Sequence, residues 1–222
     1  MCGRYSWAQK KAFPSHCSLP TPPQSVSYNR APGQEHPISI QRENSREWTL
    51  AKWGLDPVSQ PTVNHPSPIN ARIETVLEKP VFQNSILHRR CLVPADGYFE
   101  WQKIETQKYP YFHFLAGPHS FAMAGIWNES KQGDRSNITF AVLTHSASPD
   151  ILPIHHRMPV ILRSEDWLDW MSPQSNPDLL LSQYAQCQHT VLVHQVSSRV
   201  NHVREDDPGI TDPFSEKQTT LW

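Results

Sequence analysis

Arg90-Cys91-Leu92-Val93-Pro94-Ala95-Asp96-Gly97-Tyr98-Phe99-Glu100-Trp101-Gln102-Lys103 holds two runs rich in strand-forming residues, joined by a short polar break. Three more such runs follow at 109–115, 120–127 and 137–145. The gaps between them are shorter than the roughly dozen residues a parallel crossover needs, so antiparallel pairing is expected. By alternation, Tyr98, Glu100 and Gln102 share one face of their strand while Phe99 and Trp101 share the other. The succession predicts a largely antiparallel, curved β core.

Outward from this block the signals are sparser. Strands are expected at 37–41 and 47–53, the second carrying Trp48, Leu50 and Trp53, and a strand at 190–196 closes the core. Pro159-Val160-Ile161-Leu162 continues the apolar pattern. Residues 73–88 have helical composition interrupted at Pro80. Ser164 is placed to cap a helix with Trp167, Trp170 and Met171 on one face, and Asn176-Pro177 to open another. Twenty-one prolines against eight glycines fix many extended segments, notably across 14–37 and 54–68. Neither a repeat nor a domain boundary is visible. The expected fold is one α+β domain over 1–222 with proline-rich loops, a few peripheral helices and a loosely attached polar tail from about 204.

Composition narrows the function classes. The chain has 222 residues, 37% of them apolar, and no run near the roughly 20 apolar residues of a membrane span. Without a secretory layout at its start it is expected to be cytoplasmic, beside the nucleoid in a bacterium or nuclear in a eukaryote, with no membrane partner. Cys2, Cys17, Cys91 and Cys187 are widely spaced and no metal-ligand spacing is present, so neither a disulfide framework nor a metal site is expected. The formal charge of −1 means that a nucleic-acid partner would need a local basic patch.

Several residues carry potential chemistry. Removal of Met1 would leave Cys2 with an α-amine and a thiol on adjacent carbons, which together condense with an aldehyde to a five-membered thiazolidine. The α-amine titrates near 7.7–8.0, against about 10.4 for lysine, so a useful fraction is unprotonated at neutral pH. A terminal cysteine that merely packs is the plainer alternative. Glu100, among aromatic residues, suits a general acid or base with a raised pKa; a solvent-facing glutamate on a half-exposed strand fits the pattern as well. His155 and His156 are adjacent and expected to project differently, so that at most one faces a site. Asn70 either caps a helix or orients a substrate group, and Arg72 suits a phosphate. Arg4 is expected to lower the Cys2 thiol pKa and attract an anion.

Taken in order, Met1-Cys2-Gly3-Arg4, Tyr28-Asn29-x-Ala31-Pro32, Lys52-Trp53-Gly54-Leu55, Asn70-Ala71-Arg72-x-Glu74-Thr75, Gly97-Tyr98-Phe99-Glu100-Trp101, Ala124-Gly125-Ile126-Trp127, Phe140-Ala141-Val142-Leu143-Thr144, His155-His156-Arg157-Met158-Pro159 and Val196-Ser197-x-x-Val200-Asn201 resemble the SRAP (SOS response-associated peptidase) family of abasic-site processing proteins. The resemblance implies that Cys2, once exposed, traps the ring-opened aldehyde of an abasic site in single-stranded DNA as a covalent thiazolidine, protecting the strand from cleavage. It also implies self-processing peptidase action at Met1 and lyase-like or reversal activity. Asn70, Glu100 and His155 would complete the active site, and Arg4, Arg72, Arg157 and Thr144 would meet the DNA. The protein is expected to act as a monomer, without cofactor or metal. Two departures stand out: Asp56-Pro57-Val58-Ser59-Gln60 lacks the tryptophans the family usually carries as a base wedge, and Arg30 stands where an apolar residue is usual. A thiol peptidase or N-terminal-nucleophile amidohydrolase using Cys2, and a non-catalytic single-strand-binding module, are the competing readings.

Overall fold

Period-two patterning of the central strands is realised in full. In the computed structural model the described residues are 2–9, 13–14, 19–43, 45–56, 67–117, 119–132, 135–186 and 189–215. They form β1 (Arg4–Trp7), β2 (Ser27–Arg30), β3 (Glu35–Arg42), β4 (Ser45–Trp53), β5 (Asn70–Arg72), α1 (Pro80–His88), β6 (Arg90–Ala95), β7 (Gly97–Ile104) and β8 (Gln107–Leu115). The chain continues through β9 (Phe121–Gln132), β10 (Arg135–Ser146), β11 (Arg157–Pro159), β12 (Ile161–Leu162), α2 (Trp167–Met171), α3 (Pro177–Gln183) and β13 (Val191–Gln195).

One sheet runs β13-β8-β7-β1-β2; the other runs β11-β10-β4-β3-β6-β9-β12. Because β10 also pairs with β9, the path β10-β4-β3-β6-β9 closes on itself as a small barrel. The α+β expectation therefore holds, with curvature carried to closure. Pairing is mostly antiparallel, but β10 runs parallel to both β4 and β5.

Alternation sorts the core into two faces. Leu92, Ala122, Ala124, Ile126, Ala141 and Leu143 pack with Phe82, Trp167, Trp170 and Met171 of the helices. Their neighbours Cys91, Val93, Met123, Trp127, Phe140 and Val142 pack with Tyr5, Trp7 and Tyr98 of the other sheet. Gly97 sits where that sheet is tightest. A Cβ there would lie 2.2 Å from Phe112 Cζ and 2.6 Å from the His113 carbonyl oxygen. Gly97→Ala is therefore expected to destabilise the fold by about 1–3 kcal/mol through overpacking, read as a lowered denaturation midpoint at unchanged m-value.

Three local expectations change. Pro80 does not interrupt a helix but starts one: residues 73–78 are turns, and a proline with fixed φ and no N–H suits the first helical position of α1. Ser164 does not cap; a single 3-10 turn, Ser164–Asp166, leads into α2. Asn176, by contrast, caps α3 through its side-chain oxygen, which accepts from the Asp178 and Leu179 amides. The segment from Arg204, expected to be loose, is packed as far as it is described. Asp206 accepts hydrogen bonds from the Tyr28 and Asn29 amides at 2.5 and 3.0 Å, Ile210 is fully buried, and the Phe214 amide donates to Gln195 O. The polar composition misleads because Asp206, although exposed, ties the segment to the backbone of β2, and the apolar Ile210 anchors it in the core.

Candidate active site

Cys2 reaches its position through β1. Register pairs Arg4 with Phe99, so the residues preceding Arg4 run on beside the free edge of β7, where Glu100 stands. Asn70 comes from β5, whose register sets it beside Val142 of β10, and its Nδ2 donates to the Cys2 carbonyl at 2.8 Å. The loop before Asn70 is anchored by Trp53, whose Nε1 donates to Ile69 O at 2.8 Å. His155 immediately precedes β11 on the other side of β10, and its Nδ1 lies 3.8 Å from Glu100 Oε1. Four segments scattered over 150 residues of sequence thus meet. Asn70 is a strand residue, which overturns its reading as a helix cap.

Burial sets the electrostatics. Removing Glu100 from water raises its carboxyl to about 7, the chain's amino terminus working in the opposite direction. The Cys2 thiol is fully buried and its pKa is pushed well above the ordinary value, first by burial and then by Glu100. The Arg4 backbone, 3.8 Å from Sγ at its carbonyl, works against this rise but is outweighed, and the guanidinium points away, donating to Asn201 O at 3.4 Å. His155 is shifted below its ordinary value, mainly by burial and further by neighbouring positive charge, so its ring is neutral at pH 7. Nδ1 lies 3.0 Å from both the amide nitrogen and the carbonyl oxygen of Arg157, a backbone pair able to serve the neutral and the charged ring in turn. Contrary to expectation the two histidines project together, their rings stacked with centroids 4.5 Å apart.

The expected DNA contacts divide. Arg72 is exposed and Arg4 is half-buried beside the site. Arg157 is buried; its guanidinium grips Glu74 through two bonds at 2.6 and 2.9 Å and donates to the Thr144 carbonyl at 2.5 Å. Burial works to raise Glu74, but the bonds and charge of Arg157 prevail and hold its carboxyl below the usual range. Thr144 is fully buried, and its carbonyl also accepts from the Ile73 amide. Arg157 and Thr144 thereby tie the turn after β5, which follows Arg72, to the start of β11, which follows His155.

A cleft of about 490 Å³ opens over this group, lined by Glu100, Trp101, Lys103, Lys108, His155 and Asn201. Trp101 Nε1 donates to Asn201 Oδ1 at 2.8 Å. The Asn29 side chain fixes the loop bearing Asn201 by donating to the carbonyls of Val200, His202 and Glu205. Lys103 and Lys108 escaped the sequence reading, although their positions either side of the Glu105-Thr106 turn were a signal for a paired, same-face placement. Arg30 is buried, donating to Ser25 O at 2.6 Å and covering the Trp7 ring. The residues Pro57–Gln60, where a wedge is missing from the sequence, lie outside those described. Among the described residues no His, Cys, Asp and Glu side chains gather as metal ligands, and no helix is long and apolar enough to cross a membrane.

A cysteine at position 2 tethered by an asparagine amide, next to a buried carboxyl and a neutral imidazole that line one cleft, is a specific grouping, and the sequence places the chain in a family. A model of the family described as SOS response associated peptidase (SRAP) matches residues 1–203, and the protein belongs to that family. It is 30% identical to the abasic site processing protein YoqW of Bacillus subtilis over 223 residues, 96% of this chain and 99% of that one. Against the abasic site processing protein HMCES of Gallus gallus the identity is 31%, over 85% of this chain and 66% of the relative. The fold matches a crystal structure from Bacteroides thetaiotaomicron with a TM-score of 0.78 at 24% identity, covering 96% of this chain and all of the other.

Proposed function

We propose that this protein processes abasic sites in single-stranded DNA by forming a covalent thiazolidine through Cys2 after Met1 is removed. The observation that carries the reading is that Cys2, held through its carbonyl by Asn70, lies within the electrostatic reach of Glu100, which together with His155 lines the cleft.

The chemistry proceeds in balanced steps. The free α-amine of Cys2 adds to the C1′ aldehyde of the ring-opened sugar, giving a carbinolamine, which loses water to an imine. The thiol sulfur then adds to the imine carbon while the nitrogen takes up the thiol's proton, closing the five-membered ring; the net product is thiazolidine plus one water. An imine left open would favour β-elimination and strand scission, and ring closure removes it. A carboxyl titrating at about 7 is present in both forms at neutral pH, so Glu100 takes a proton from the Cys2 ammonium and returns one to the departing hydroxyl. His155 is neutral, so its Nε2 serves as a hydrogen-bond partner for the sugar ring oxygen more readily than as a strong acid. Asn70 holds the Cys2 carbonyl, and its Oδ1, buried with no protein partner among the described residues, is an acceptor for the amine or a sugar hydroxyl.

The raised Cys2 thiol argues against a thiolate nucleophile of the kind a thiol peptidase needs. Hydrolysis of the Met1–Cys2 bond and reversal of the crosslink belong to the same proposal, with Glu100 as the proton carrier. The test is intact mass after incubation with an abasic single-stranded oligonucleotide. The expected species has the mass of the protein lacking Met1 plus the DNA less one water. Peptide turnover with no such adduct would establish the peptidase reading in its place.

A further inference from the structure

We propose that Lys103 and Lys108 form a two-point phosphate clamp, guiding the single strand that flanks the reacting sugar out of the cleft. The identity of the ligand as DNA rests on the function proposed above; the clamp itself rests on the geometry of the β7–β8 hairpin.

Because β1 begins opposite Phe99, residues 100–104 of β7 have no β1 neighbour. The cleft wraps this open edge, which is why Glu100 and Trp101, projecting from opposite faces, both line it. Lys103 pairs directly with Lys108, so the two ammonium-bearing side chains rise from one face with Cβ atoms roughly 5 Å apart. Like charges set directly across a strand pair are destabilising. Nothing among the described residues relieves this pair: the ion pairs there join other residues, and Glu105 in the intervening turn joins neither lysine. Both lysines are exposed at the cleft mouth, about 10 Å along the strand from Glu100 by its rise per residue.

A repulsion kept beside a candidate site points to an anionic ligand that offsets it. Lysine acts as a point charge without directional readout of base edges, so the fitting ligand is a backbone phosphate of any sequence. The net charge of −1 leaves the protein no general attraction for a polyanion, and this hairpin supplies the local patch. Trp101, its indole fixed by Asn201, walls the path between clamp and sugar.

The test is the double variant Lys103→Gln/Lys108→Gln, read by fluorescence anisotropy with an undamaged labelled single-stranded oligonucleotide across a salt series. Affinity is expected to fall about tenfold, and the slope of log K against log salt to become shallower by about 1.4, the release expected for two single-strand phosphates. Lys103→Arg/Lys108→Arg should restore both, and the glutamine variant should melt no lower than the parent because repulsion has been removed. An unchanged salt slope would overturn the clamp. If wild-type protein gives no adduct on abasic DNA while the slope still changes, the clamp stands and the covalent chemistry falls.

Discussion

Cys2→Ser is expected to abolish every adduct that survives denaturation, while leaving binding of undamaged single-stranded DNA near the parental level. Serine retains the α-amine and nearly the same volume, so the imine can still form. Its hydroxyl closes to an oxazolidine, which reopens far more readily than a thiazolidine because oxygen holds the ring less durably than sulfur. The imine then persists, and the strand becomes prone to β-elimination. Denaturing gels should therefore show loss of the slow-migrating species together with an increase in cleaved oligonucleotide. Cys2→Ala separates the two functional groups further: it keeps the amine but has no atom to close a ring. Undiminished stable crosslinking by Cys2→Ser would remove the sulfur from the mechanism.

Glu100→Gln is expected to slow single-turnover adduct formation by on the order of a hundredfold, the scale of one positioned acid–base group, with a much smaller change in DNA affinity. The same substitution should stabilise the fold at neutral pH. Between the ordinary 4.5 and about 7 the unfolded carboxyl ionises while the native one keeps its proton. The native state then binds more protons, and stability falls as pH rises through that window. Glutamine cannot ionise, so the variant should match the parent below about pH 4.5 and exceed it by about 3 kcal/mol above pH 7. Thermal melts from pH 4 to 8 would show the two curves diverging. Equal losses in rate and affinity, with parallel melting curves, would instead identify Glu100 as a DNA contact or a structural group.

Much of this architecture could be read from residue order. Of the five runs between 90 and 145, β7 with β8 and β9 with β10 return antiparallel as their short gaps require, whereas β6 and β7, only one residue apart, fall in different sheets and β6 pairs with β9. Trp167, Trp170 and Met171 face the core together, as their spacing required. Misreadings arose where a distant partner sets the conformation. Asn70 has the composition of a helix start, yet β10 supplies a parallel neighbour and draws it into a strand. Arg157 reads in sequence as an unpaired cation, but Glu74, 83 residues away, is its partner. The influence expected of Arg4 on the thiol depended on proximity in sequence, and burial overrides it. The hairpin lysines were missed for the opposite reason: ordinary surface residues in one dimension, they become a charged pair only once the register is known.

Asn70 grasps the cysteine by its carbonyl, leaving both reacting atoms untouched. Amine and sulfur are spent in the proposed reaction, but the tethered oxygen is not, so the same handle serves before, during and after it. A captured lesion would consequently be moored to the barrel itself rather than dangling from a flexible leader, and bystander molecules would have to displace a folded domain to reach it.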